Sequence, residues 1–478
     1  MNDFTMKNVL KKNIMTIALF GIYVLFVILA LLIKSTNMLE PSIVTSLIEQ
    51  NAYVYILGSG MLMCMLTGGN IDLSVGSVVC FIGSAVGLFA VENRLLNQWF
   101  GVWEIQIIDG VEQKVLVQAA QPLSTPVVLL VALGVGLLYG ALLGYLIAYV
   151  RIPPWIATLA GYLSFRGLGT QVLSTASETN AISIPSTSAT GELSDLFSGR
   201  LLESDWGTLN IPCVAIGCIA VAVVVFLSIR SRHAKIVKGY EAEPLWLLIF
   251  KCAVISAVIL FFTIEFAFDG GLPIVVLWIV GVLVVYGIIT EKTTIGRHFM
   301  TVGGNAEASR LSGINNKRVM FFAYLNMAFL TVIAALVVTV RTGAANSFAG
   351  QEYELDAIAA CIVGGVSAYG GAGTIVGMVV GATLIGVINQ GMSLVGCDQN
   401  WIKIVKGLVL LAAVVFEIMS KKNSGSKKKA PAKVKSQEVE DALAKAQADL
   451  DKAIEEAANE AVERSTAATN EGAVTTDS

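Results

Sequence analysis

Hydrophobic positions along this chain come in long blocks, with little alternation between apolar and polar residues. Apolar stretches recur at about 14–33, 51–67, 75–91, 126–150, 155–172, 210–229, 245–267, 272–289, 319–341, 354–368, 371–395 and 401–419. Several reach the roughly 20 residues that a helix needs to cross a bilayer. Others are short or closely spaced and read as broken or re-entrant. The pattern predicts an all-α, polytopic membrane bundle of about ten spans, in a range of roughly 8 to 12.

Composition agrees. Of 478 residues, 55% are hydrophobic and only 14% are charged. A soluble domain carries about a quarter charged residues. Lys7, Lys11 and Lys12 precede the first apolar run. That run is too long for a signal peptide and lacks a small-residue cleavage site, so it reads as a retained first span behind a cytoplasmic segment, 1–13.

Lys and Arg mark the loops that stay in the cytoplasm. Segment 230–243 carries Arg230, Arg232, Lys235 and Lys238, and segment 290–318 carries Lys292, Arg297, Arg310, Lys317 and Arg318. Loops 92–125 and 173–209 are acidic and read as external. The spanning domain is expected over 14–419, with both termini cytoplasmic. Beyond it, 420–478 opens on a lysine cluster that suits anionic lipid. Gln437–Arg464 then shows a weak heptad pattern, too short and broken for a coiled coil.

Glycines four apart inside spans (Gly136, Gly140 and Gly144; Gly377 and Gly381) predict close helix packing. The seven cysteines have no metal-ligand spacing, and no metal or cofactor is expected. There is no G-x-x-x-x-G-K-[ST] phosphate loop, so the chain has no nucleotide site of that kind. The two histidines, His233 and His298, both fall in the basic loops. No nucleophile–base set stands out, so an enzyme is not indicated and no residue is assigned as catalytic.

Two segments carry the chemistry. Thr67-Gly68-Gly69-Asn70-Ile71-Asp72-Leu73-Ser74-Val75-Gly76-Ser77 is a polar break between apolar runs. Such a break must be buried in protein or line a wet path, because lipid cannot satisfy its backbone. Asp72 and Ser74 read first as rival helix caps for the span near Val75, and, compatibly, as path-lining groups along with Asn70. Arg166 is a further ionisable residue inside an apolar run. Asn389 and Gln390 could hydrogen-bond a neutral polyol or a neighbouring helix.

The second segment runs from Thr294 to Ile314. Asn305 is a good N-cap, Glu307 suits the N-terminal end and Gly313 is a good stop. That predicts a helix of about two turns over 305–313, marginal alone and suited to docking on another protein.

Gly68–Ser77, Arg151–Gly161 with Phe165-Arg166-Gly167, Gly296–Ile314, and Gly364-Gly365 with Gly370–Gly373 together resemble the permeases of bacterial ribose-, galactose- and xylose-type ATP-binding-cassette importers. Leu47–Tyr53 is similar to the multiple-monosaccharide branch. The resemblance covers about 14–419. Asn70, the charged tail and the long outer loops depart from it. The resemblance implies a permease of the cytoplasmic membrane that imports a monosaccharide by alternating access. It also implies a second permease copy, a separate cytoplasmic ATPase subunit and an extracytoplasmic sugar-binding protein, with no nucleic-acid partner. Gly303, Gly304, Asn305, Ala306, Glu307, Ala308, Arg310, Leu311 and Gly313 would then form the coupling helix that sits on the ATPase. The rival expectations are another neutral solute, or an ion-coupled carrier. The scarcity of intramembrane acids counts against the second.

Overall fold

The computed structural model describes residues 14–34, 37–108, 111–185, 190–203, 209–239 and 244–425. The expected cytoplasmic segment 1–13 and the amphipathic tail beyond 425 lie outside the described residues. The chain divides into two units, 1–417 and 418–478, and of the second only the stretch to Gly425 is described.

Helices α1 (Ile14–Lys34), α2 (Pro41–Gln50), α3 (Ala52–Leu66) and α4 (Val75–Ala90) open the fold. A short α5 (Arg94–Phe100) leads to an antiparallel pair, β1 (Val102–Ile108) and β2 (Val111–Gln118). Next come α6 (Thr125–Tyr145), which runs on through a π-helical turn at Leu146–Val150, and α7 (Pro154–Ala176). Short pieces follow: β3 (Ala181–Ser183), α8 (Gly191–Phe197) and β4 (Arg200–Leu201). Then come α9 (Ile211–Val237), α10 (Leu245–Phe268), β5 (Leu272–Pro273) and α11 (Ile274–Lys292). The loop helices are α12 (Thr294–Gly304) and α13 (Ala306–Leu311). The fold closes with α14 (Asn316–Thr342), β6 (Ala344–Asn346), α15 (Tyr353–Val363), α16 (Ile375–Val395) and α17 (Gln399–Gly425). The strands form three two-stranded pairs in the connections, β1 with β2, β3 with β6 and β4 with β5.

Helix α3 is the axis of the core. Every residue from Ala52 to Leu66 is buried, so the segment has no polar face to present to water. Around it stand α11, α14, α15 and α16. Helix α14 also packs on α6 and α4, α4 on α7, and α16 on α1. Helices α9 and α10 form a peripheral antiparallel pair. Their exposed Ile219, Phe226, Val254 and Phe261 give the apolar outer surface that a lipid-facing pair requires.

Seven described helices are long and apolar enough to cross a membrane, or eight if the pair α4–α5, bent by 60°, counts as one span. The expected count of about ten is not confirmed by that measure. Length accounts for part of the shortfall; α7, with 23 residues, is long enough and falls short in apolarity instead. Helix α3 has 15 residues, α4 has 16 and α15 has 11. At 1.5 Å per residue α3 is roughly 22 Å long, less than the ~30 Å hydrocarbon layer. Because α3 is enclosed by other helices, its ends need not reach water. The breaks that follow α3 and α15 meet each other, with Gly371 N donating to the Leu66 carbonyl.

Close helix approach depends on the small residues the sequence singled out. On α6, a Cβ at Gly140 would overlap the Ala328 methyl and come within 3.3 Å of Leu325 Cα, while Gly134 has nothing within 4 Å. Gly140→Val should therefore force α6 and α14 apart, at a cost of about 1–3 kcal/mol. Gly134→Val should be close to neutral. Thermal midpoints of the two purified variants in detergent check this, and equal shifts would contradict the packing described.

Candidate functional site

Three glycine segments from distant parts of the chain meet at one end of the bundle. The first is the polar break after α3. Gly68 and Gly69 both have positive φ, 121° and 73°, and their N–H groups donate back to the Met65 carbonyl. The second is the break after α15, where Gly370 and Gly371 also have positive φ, 86° and 75°. Gly371 N donates to the Leu66 carbonyl at 3.1 Å, which takes up an acceptor at the end of α3. The third is the end of α12. A Cβ on Gly303 would overlap the Leu66 carbonyl oxygen and lie 2.7 Å from both Gly371 N and Gly68 N. A Cβ on Gly370 would overlap Gly68 Cα, and one on Gly371 would lie 2.8 Å from Gly304 Cα. Backbone therefore rests on backbone, with no side chain between.

The helix expected over 305–313 is present as α13, Ala306–Leu311. The Asn305 side chain caps it, accepting from Glu307 N at 3.1 Å and Ala308 N at 3.0 Å. Gly313, with φ 83°, ends it. Glu307 and Arg310 form an exposed ion pair at 2.6 Å, and Leu311 is 77% exposed. The capped end is tied to the bundle because Asn316 Nδ2 donates to the Ala306 carbonyl at 2.7 Å. Helix α12 was not foreseen as a helix. It buries Gly296, Phe299 and Val302 along one face, and that three-residue spacing is the signal that could have revealed it.

The other candidates separate. Asp72 is buried, and its Oδ1 accepts from Ser74 N at 2.9 Å and from Ser74 Oγ. Tyr139 OH donates in turn to Ser74 Oγ. Ser74 stands at the N-cap position of α4 but makes no capping bond with its own side chain, so Asp72 fixes the turn from two residues upstream. Asn70 Nδ2 donates to the Thr67 carbonyl at 3.2 Å and to Thr67 Oγ1 at 3.1 Å. Asn70 also lines an open cavity of about 820 Å³ between the break, the 147–154 turn and α13. Arg151, Arg310 and Lys317 give that cavity a basic rim.

Arg166 does not reach this end. Its Nη1 donates to the carbonyls of Ser347 at 3.1 Å and Ala349 at 2.8 Å, clamping the connection between α14 and α15. Asn389 and Gln390 do not act as a pair. Asn389 lines a second cavity formed by the opposite ends of α3 and α14, while the buried Gln390 is not part of that lining.

A protein-family model described as the permease component of branched-chain amino acid transport systems matches residues 43–414. This chain belongs to that family. The permease is 31% identical over 380 residues to the xylose transport system permease protein XylH of Haemophilus influenzae, covering 79% of this chain and 89% of the relative. It is 31% identical over 385 residues to XylH of Escherichia coli, covering 80% and 86%. It is 28% identical over 396 residues to the ribose import permease protein RbsC of Escherichia coli, covering 81% and 91%. No solved structure matches the permease. It is a multi-pass membrane protein whose place is in a transport system.

The crossing makes a contrast between neighbouring residues. Gly303→Ala places a methyl on the Leu66 carbonyl, whereas Gly304 has open space around its Cβ position. Gly303→Ala should dislodge α12 at a cost of about 1–3 kcal/mol. Faster trypsin cleavage within 294–310 is the readout. Gly304→Ala should be cleaved at the wild-type rate, and equal cleavage of both variants would contradict the crossing.

Proposed function

We propose that this permease is the membrane-spanning subunit of an ATP-binding-cassette importer for a monosaccharide of the xylose, ribose, galactose or arabinose class. It works with a separate ATPase subunit, an extracytoplasmic sugar-binding protein and a second permease copy. The single observation that carries the reading is the two-part hook α12–α13. Its inner end lies on the breaks after α3 and α15, and its tip presents Glu307, Arg310 and Leu311 outward with nothing among the described residues covering them. A short helix that is well capped but so exposed suits a socket on another protein.

The names of the relatives support the sugar class, two of them xylose permeases and one a ribose permease. The basic loops support a cytoplasmic position for the hook, and hence for both termini of the chain. Force applied by the ATPase at α13 passes through Gly303 to the ends of α3 and α15, and rocks the helices around them between outward- and inward-open states. In this reading Asn70 lines the inner mouth of the path. Asp72 and Ser74 hold the break in shape, Arg166 holds the outer connection, and Asn389 supplies a neutral hydrogen-bonding group further out.

The test is reconstitution with the co-purifying ATPase and a sugar-loaded binding protein. Wild type should take up sugar in step with ATP hydrolysis, and a protonophore should leave uptake unchanged. Leu311→Glu puts a charge on the exposed tip, and Asn305→Ala removes a cap worth about 1 kcal/mol. Each should cut uptake by roughly five- to tenfold, the effect of ~1–1.4 kcal/mol, while basal ATP hydrolysis persists. Normal uptake by Leu311→Glu, or uptake by the permease alone, would overturn the coupling role.

A further inference from the structure

The second cavity, of about 320 Å³, lies at the far end of the same helices that make the glycine crossing. It is lined from the start of α3 (Asn51, Tyr53), the end of α14 (Arg341), the start of α15 (Glu352, Tyr353, Asp356), the last turns of α16 (Asn389, Ser393) and the start of α17 (Lys403, Lys406). Its size falls at the lower end of the roughly 300–1,000 Å³ of ligand sites.

Most of the charge in this cavity is already neutralised. Asp356 accepts from Tyr53 OH at 2.6 Å and pairs with Lys406 at 2.9 Å. Glu352 pairs with Lys403 at 3.0 Å. The Tyr53 and Tyr353 rings stack on each other at 3.6 Å, which fixes the wall. Gln50, Gln351, Gln399 and Ser393 also line the cavity, and two further groups stand out. Arg341 is half-buried and interacts electrostatically with Glu49, but makes no hydrogen bond or close ion pair among the described residues. Asn389 Oδ1 is buried and has no hydrogen-bond partner. A buried polar atom without a partner costs free energy unless a ligand or water supplies one. One group donates and the other accepts, so a ligand that meets both must accept at one point and donate at another. A hydroxyl-bearing neutral solute does so. An inorganic anion could satisfy Arg341 but has no proton to donate to Asn389 Oδ1, an acceptor that carries partial negative charge.

The geometry points to a binding subsite for a monosaccharide hydroxyl pair in this cavity, held by Arg341 and Asn389 within a single permease chain. The subsite rests on the importer reading for its sugar class. It gives each permease copy its own station at the end opposite the coupling hook, where a solute released outside would first meet polar groups.

The test uses the full-length permease in nanodiscs. A Ser393→Cys variant, in a background with the seven native cysteines replaced, reports occupancy by its maleimide labelling rate. D-xylose, D-ribose and D-galactose are each added at high millimolar concentration, with sodium sulfate as the anion arm. At least one sugar should slow labelling, and sulfate should not. Arg341→Lys and Asn389→Ser, both mild in volume, should each raise the protecting concentration roughly tenfold, the size of effect expected on losing a hydrogen bond to a charged or buried group. Wild-type thermal midpoints would show that both variants fold. Protection by sulfate alone, or by no sugar, overturns the subsite, as does unchanged protection in both variants. Coupled uptake in the reconstituted importer is scored separately. Sugar protection without ATP-driven uptake would defeat the importer reading while leaving the subsite, and uptake without protection would do the reverse.

Discussion

The hydrogen bond from Gly371 N to the Leu66 carbonyl, with Gly303 packed on the same oxygen, is the contact on which the architecture turns. It joins the end of the buried central helix α3, the loop after α15 and the end of α12 in one place. Side chains at an interface can change rotamer and absorb a small displacement. Here there is only backbone, so a displacement of α12 must move α3 or the loop after α15. Close-packed interiors transmit strain in this way because they offer so little free volume. The positive φ angles of Gly69 and Gly370 let the two breaks fold flat enough for the approach.

Around this crossing the polar side chains of Thr67, Asn70, Asp72 and Ser74 find partners within the chain. Asp72, Ser74 and Tyr139 form one chain of hydrogen bonds, and Asn70 with Thr67 forms another. A break left unsatisfied would be costly in an apolar surrounding. A satisfied one can serve as a joint, because the chain direction changes there without exposing backbone to lipid. Arg166 does comparable work at the other end, where its guanidinium holds the carbonyls of Ser347 and Ala349. The fold thus consists of short buried helices with polar joints inside a frame of long apolar ones.

This division explains what could be read from the sequence. The long helices were legible because block length is the dominant signal for a span. The short ones were not distinguishable from spans, since α3 and α15 are as apolar as their neighbours and only their enclosure reveals their role. The α13 helix was legible from Asn305, Glu307 and Gly313, each with a positional meaning in helix caps. Its companion α12 was hidden by Gly296, Gly303 and Gly304, which lower helix propensity. The β1–β2 pair lies in the loop expected to be external, and its strands were not foreseen, although Asp109-Gly110 between two alternating runs is a recognisable hairpin signal. Meeting points between motifs are a different matter. Nothing in the local pattern of Gly303 says that it will touch Leu66, because the contact is made by backbone atoms common to every residue.

The two cavities and the crossing are mechanically related through shared helices. Helix α3 runs from Asn51 and Tyr53 beside the far cavity to Leu66 at the crossing. Helix α14 begins beside α13, where Asn316 binds the Ala306 carbonyl, and ends at Arg341 in the same far cavity. Both are continuous helices, so in the proposed importer a tilt imposed at the hook would change the spacing of Tyr53 and Arg341 at the other end. A ligand that favours one spacing would then favour one hook position by the same free energy, as linkage requires. In that proposal, sugar occupancy and engagement of the hook are two readings of one helix tilt. No separate signalling path through side chains is needed to connect them.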